Sequence, residues 1–76
     1  MTKIKKIASK YEEISKEKAD EIIETRKPLG KFWLKENDRY VAIDNEIGVA
    51  WTEDFDLYDD CERYLNGESY DDIINN

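Results

Sequence analysis

Residues 31–43 read Lys31-Phe32-Trp33-Leu34-Lys35-Glu36-Asn37-Asp38-Arg39-Tyr40-Val41-Ala42-Ile43. Two runs rich in aromatic and β-branched residues flank Asn37-Asp38, a pair suited to a tight two-residue loop. Folding the chain about that pair sets Leu34 opposite Val41 and Phe32 opposite Ile43 on one face, with Trp33 opposite Ala42 on the other. A third run, Val49 to Thr52, follows Asn45-Glu46-Ile47-Gly48, which reads as a type I turn closed by a left-handed Gly48. The expectation is a three-stranded antiparallel meander with strands at Lys31–Lys35, Tyr40–Ile43 and Val49–Thr52. In that register Val49 and Trp51 join Phe32, Leu34, Val41 and Ile43 on an inner face large enough to need helices over it.

Outward from the meander the period changes. Ile4, Ile7, Ala8, Tyr11, Ile14, Ala19, Ile22 and Ile23 share one arc at about 100° per residue, so the N-terminal part reads as helix. One helix from Lys3 to Arg26, or an arm followed by a helix capped at Ser15, explains the spacing equally well. Lys27-Pro28-Leu29-Gly30 ends it in either case, since proline lacks an amide donor and disfavours helical backbone at Lys27. On the other side, Asp56 suits a cap for a helix running to Asn66, with Leu57, Tyr58, Cys61, Tyr64 and Leu65 on one face and Gly67 as its stop. Ser69 then caps a last turn, with Asp72 three residues on and Tyr70, Ile73 and Ile74 turned inward. Together these give one α+β domain over 1–76. A helical segment over 1–26 and one or two short helices in an acidic segment over 56–75 pack with a meander over 31–52.

Seventy-six residues support only a thin core, but nine aromatics and clustered apolar runs argue for a folded chain. The net charge of −7 conceals a division. Residues 1–35 carry ten Lys/Arg against six Asp/Glu, whereas residues 36–76 carry two against thirteen. A C-terminal half so negative repels nucleic acid and acidic lipid and accelerates encounter with a basic partner. A single cysteine, no signal-peptide pattern and no long apolar run point to the cytoplasm, with no membrane association.

Catalytic chemistry finds few candidates. The chain has no histidine, which removes the commonest general base and metal ligand. Cys61 sits on an apolar helix stripe beside Asp59, Asp60 and Glu62, an environment that raises a thiol pKa, and reads as structural. Asp54-Phe55-Asp56 opens like a calcium loop, but Tyr58, Asp59 and Leu65 occupy positions where ligands or glycine belong. No glycine-rich phosphate loop exists. The expectation is a non-enzyme without metal or cofactor that does not bind nucleic acid directly.

Two features remain as candidate binding surfaces. Asp54, Asp56, Asp59, Asp60, Glu62, Glu68, Asp71 and Asp72 fall within 19 residues. They form either a solvated face or an array that imitates a phosphate backbone and docks on a basic host protein. Trp33 and Tyr40 lie on the sheet face opposite the expected core. Either the N-terminal helix covers them, or they anchor an interface, for example of a homodimer.

Lys27-Pro28-Leu29-Gly30-x-Phe32, Ile43-Asp44-Asn45-x-x-Gly48-x-Ala50-Trp51-x-Glu53-x-Phe55 and Tyr64-Leu65 resemble small uncharacterised proteins encoded by phages and mobile elements of low-GC Gram-positive bacteria. The resemblance covers residues 17–66 and brings no activity with it. It implies a bacterial setting in which small acidic proteins often inhibit host enzymes, among them anti-restriction, anti-CRISPR and glycosylase-inhibitor proteins that look like DNA. None of their specific motifs is matched, so a class of behaviour carries over and no residue does.

Overall fold

The computed structural model describes residues 9–75. Its elements are β1 (Glu12–Glu13), α1 (Lys16–Thr25), β2 (Gly30–Glu36), β3 (Arg39–Asn45), β4 (Trp51–Phe55), α2 (Tyr58–Leu65) and α3 (Tyr70–Ile74). The fold is α+β, with one sheet ordered β1-β2-β3-β4 between α1 on one face and α2 with α3 on the other.

The hairpin follows its sequence. Asn37 and Asp38 both take positive φ, 52° and 64°, and the strands they join pair Phe32 with Ile43, Trp33 with Ala42 and Leu34 with Val41. The meander has a fourth member, because β1 runs parallel to β2 with Glu12 beside Phe32 and Ile14 N–H donating to the Trp33 carbonyl at 2.9 Å. The sheet is therefore mixed, and β1-α1-β2 is a short parallel crossover. Two charged residues carry no strand signature, so this edge was not legible.

The N-terminal helix is the capped alternative. Ser15 Oγ accepts from the Lys18 amide at 3.1 Å and the helix begins at Lys16. The part of the longer expected helix that falls on residues 3–8 lies outside the described residues. Ala19 and the fully buried Ile22 set α1 against Phe32, Leu34 and Ile43. Burying one side chain such as Ile22 contributes roughly 1.5–3 kcal/mol. Asn45, buried at the end of β3, fixes the turn after α1 by donating from Nδ2 to the carbonyls of Arg26 at 3.0 Å and Pro28 at 2.9 Å.

Two expectations are corrected here. The helices exchange faces: α1 covers the Phe32 face, while α2 and α3 cover the Trp33 face. β4 is also displaced by one residue, pairing Trp51 with Asp44 and Thr52 with Ile43. Trp51 therefore leaves the inner face and stands 58% exposed, and Val49 lies in the loop. Gly48 is left-handed as expected (φ 81°), but Ala50 is left-handed as well (φ 56°). That second turn residue lengthens the connection, and a slip of one residue reverses every side chain of a strand.

Candidate functional site

The second layer rests on Trp33, which is 3% exposed. Its indole N–H donates to the Tyr11 carbonyl at 3.1 Å, and its ring meets Tyr58 edge-on at 4.8 Å and Tyr40 at 6.2 Å. Phe55, Cys61, Leu65 and Ile73 complete this cluster. The open aromatic face that Trp33 and Tyr40 offered in sequence is thus occupied, by the C-terminal helices and not by α1. The helix face predicted around Cys61 supplies the cover. Burial pushes the Cys61 thiol up to about 12, with Glu62 adding to the rise, so the cysteine is an inert packing residue.

The eight acidic residues divide by position, with Glu62 in the middle of α2 next to Cys61. Asp54, at the end of β4, and Asp56, just beyond it, both bind Arg39 of β3: Nε donates to Asp54 Oδ2 at 2.6 Å and Nη1 pairs with Asp56. This displaces the expected cap, because Asp56 is engaged across the strands and α2 starts one residue later than predicted. Leu57 takes the N-cap position with extended backbone and no side-chain hydrogen bond, and stands 61% exposed. Asp59 and Asp60 fill the first turn of α2, and Asp71 and Asp72 that of α3, where negative side chains complement the amide ends. Ser69 caps α3 as expected, its Oγ accepting from the Asp72 amide at 3.1 Å.

Glu68 lies apart, beyond the left-handed Gly67 (φ 105°) that stops α2. Its carboxylate accepts from Arg63 Nη2 at 2.8 Å, and this bond holds its pKa below the usual carboxylate range. Arg63 also faces Asp60 at 3.8 Å. Both arginines of the acidic half are therefore engaged by its own carboxylates.

Asp54, Asp56 and Asp60 converge on a cleft of about 310 Å³ between β4 and the two C-terminal helices. Phe55, Tyr70 and Ile73 line it as well, and Leu57 and the 51% exposed Ile74 stand at it as apolar surface. Sequence reasoning placed Leu57 and Ile74 in the core and gave Arg39 no role. Nothing in the sequence marked Leu57, whose exposed position follows from α2 starting one residue later than expected. Among the described residues no group of histidine, cysteine, aspartate or glutamate is arranged to hold a metal ion, and no helix is long and apolar enough to cross a membrane.

No family model matches the chain, and neither a curated protein nor a solved structure shows significant similarity to it.

Proposed function

We propose that this is a binding protein of phage or mobile-element type that docks its acidic C-terminal surface on a basic, nucleic-acid-handling site of a bacterial host protein, in the manner of anti-defence inhibitors that imitate DNA. The observation that carries the reading is the cleft where Asp54, Asp56 and Asp60 meet exposed Leu57 and Ile74. Carboxylates steer a basic partner and set its register, while the two apolar side chains gain by leaving water. The neighbouring Asp59, Asp71 and Asp72 widen the negative field around it. Arg63 offsets part of the charge of Glu68 and Asp60, and Arg39 part of that of Asp54 and Asp56.

The test is capture of host proteins on the immobilised full chain at low salt, at high salt and with competitor DNA. The reading expects one basic nucleic-acid-handling protein, released by salt and by DNA, and lost on the charge reversal D59K/D60K/E62K in a chain that still folds. Binding indifferent to salt sinks it.

A self-associating module is the second reading, and exposed Trp51 now favours it over the buried Trp33. Sedimentation equilibrium separates the two: this version requires a concentration-dependent dimer that Trp51→Ala abolishes.

A further inference from the structure

β4 ends the sheet on the side away from β1, so among the described residues no strand lies along its outer edge. The register fixes which backbone groups stand there. The Trp33 carbonyl accepts from the Ile14 amide just after β1, so Trp33 turns its backbone away from β3. In an antiparallel pair, facing residues either bond each other or both turn away. Ala42, opposite Trp33, therefore turns to β4 and bonds Glu53. Alternation along β4 leaves the amide and carbonyl of Thr52 and the amide of Asp54 pointing outward. The Asp54 carbonyl points the same way and accepts from Arg39 Nη2 at 3.3 Å.

The side chains beside this edge are negative, with one exposed aromatic ring. Trp51 and Glu53 lie on the sheet face of α2, opposite Asp44 and Ala42, and Trp51 is exposed. Among the described residues neither Glu53 nor Asp44 has an ion-pair partner, in contrast to Asp54 and Asp56. Burial raises the Tyr64 pKa, and Glu53 and Asp44 add to the rise, which puts both carboxylates near that hydroxyl of α2. A cationic side chain entering here meets an aromatic ring and two carboxylates without a cation.

We propose that an extended basic segment of a partner protein adds to β4 as a fifth strand, its backbone bonded to Thr52 and Asp54 and its arginines or lysines set opposite Trp51 and Glu53. The inference rests on the reading above for the basic character of the partner. The edge adjoins the cleft through Asp54, so one partner can engage both. In strand addition, main-chain bonds supply affinity and alternate side chains supply choice. A second copy of the chain fits worse. The two-fold register that uses Thr52 and Asp54 together sets Glu53 against its own counterpart, a like-charge pair across strands. The charge that discourages self-pairing selects a basic strand.

The experiment uses the full chain and a peptide, acetylated and amidated at its ends, in which arginine alternates with valine over seven residues. At nine-tenths occupancy, amide hydrogen exchange at Thr52 and Asp54 slows about tenfold, since only the free tenth exposes those amides, while α2 and α3 exchange as before. N-methylation of the valine amides, which face β4 in this register, abolishes binding, whereas N-methylation of the arginine amides, which face solvent, preserves it. Thr52→Pro removes an outward donor from an edge strand and leaves the bonds to β3, so it abolishes binding in a folded chain. Glu53→Gln weakens binding about two- to fivefold, the range expected of one cross-strand ion pair. Unchanged exchange at Thr52 and Asp54, equal binding of the two methylated peptides, or slowing at those amides on concentrating the protein alone each overturns the proposal. Peptide addition without any salt-sensitive host partner leaves this inference standing and removes the host-docking reading. A host partner captured equally by the Thr52→Pro variant, with no peptide on β4, does the reverse.

Discussion

Arg39 is held by Asp54, with Nε donating to Oδ2 at 2.6 Å, so the carboxylate that a basic partner would seek already has an arginine. Asp56 takes another nitrogen of the same guanidinium. Arg39→Gln therefore exposes both carboxylates. The melting temperature falls by a few degrees at most, because the ion pair lies in water. Affinity for polylysine, measured by calorimetry, rises and its salt dependence steepens.

Leu57 sits where serine or aspartate would bind a helix amide. Leu57→Ser supplies that acceptor and stabilises the fold by about 0.5–1 kcal/mol, read as a higher urea midpoint. The same change removes an exposed apolar side chain from the cleft rim, so partner binding weakens as stability rises. A loss of both together would mean that Leu57 serves packing and not docking.

Trp33 joins β1, β2 and α2. Trp33→Ala removes the centre of its cluster at a cost of about 3–5 kcal/mol, which leaves a domain of this size largely unfolded at room temperature. Trp33→Phe keeps a ring but forfeits the bond to the Tyr11 carbonyl, for a loss of about 1–3 kcal/mol. Equilibrium denaturation in urea ranks the pair.

The hydrogen bond from Arg63 lowers the Glu68 pKa in the folded state. A depressed carboxyl stabilises the fold above its unfolded pKa, and that contribution fades as pH falls through the lowered folded value. Glu68→Gln should accordingly lower stability slightly at neutral pH, where the pair contributes in full, and leave the acid end little changed, so that the acid decline becomes shallower.

Cys61 has the opposite sign. Its raised pKa means that stability is complete below the unfolded thiol value and is lost as pH rises toward about 12. Cys61→Ala should lessen the alkaline decline while lowering stability at neutral pH. In the unaltered protein a thiol reagent at mild alkaline pH should react only as fast as the chain opens.

Local chemistry was legible wherever one or two residues decide a conformation. Asn37-Asp38 set a whole hairpin register, and Ser15, Ser69 and Gly67 marked helix ends, because each acts on backbone within four residues. Choices made by distant partners were not legible. Asp56 looked like a cap until Arg39 claimed it, and Asn45 looked like a turn residue but serves as a buried bracket for the α1–β2 connection. Ala50 gave no sign of its left-handed backbone, and that one residue sent Trp51 to the other face. The acidic site shares this limit: its carboxylates are visible as a run, while their grouping about Leu57 and Ile74 depends on how α3 returns to β4.

The Tyr11 hydroxyl donates to the Leu65 carbonyl, a residue 54 positions later, and Lys31 Nζ reaches the same oxygen at 2.8 Å. The stretch leading into β1 is thereby latched to the end of α2. A chain emerging from the ribosome cannot close this latch until Leu65 has been made, so a truncated product stopping before Leu65 leaves Tyr11, Trp33 and the sheet face bare. Such fragments would present sticky surface to the cell's proteases, and quality control would remove prematurely terminated copies without any dedicated signal.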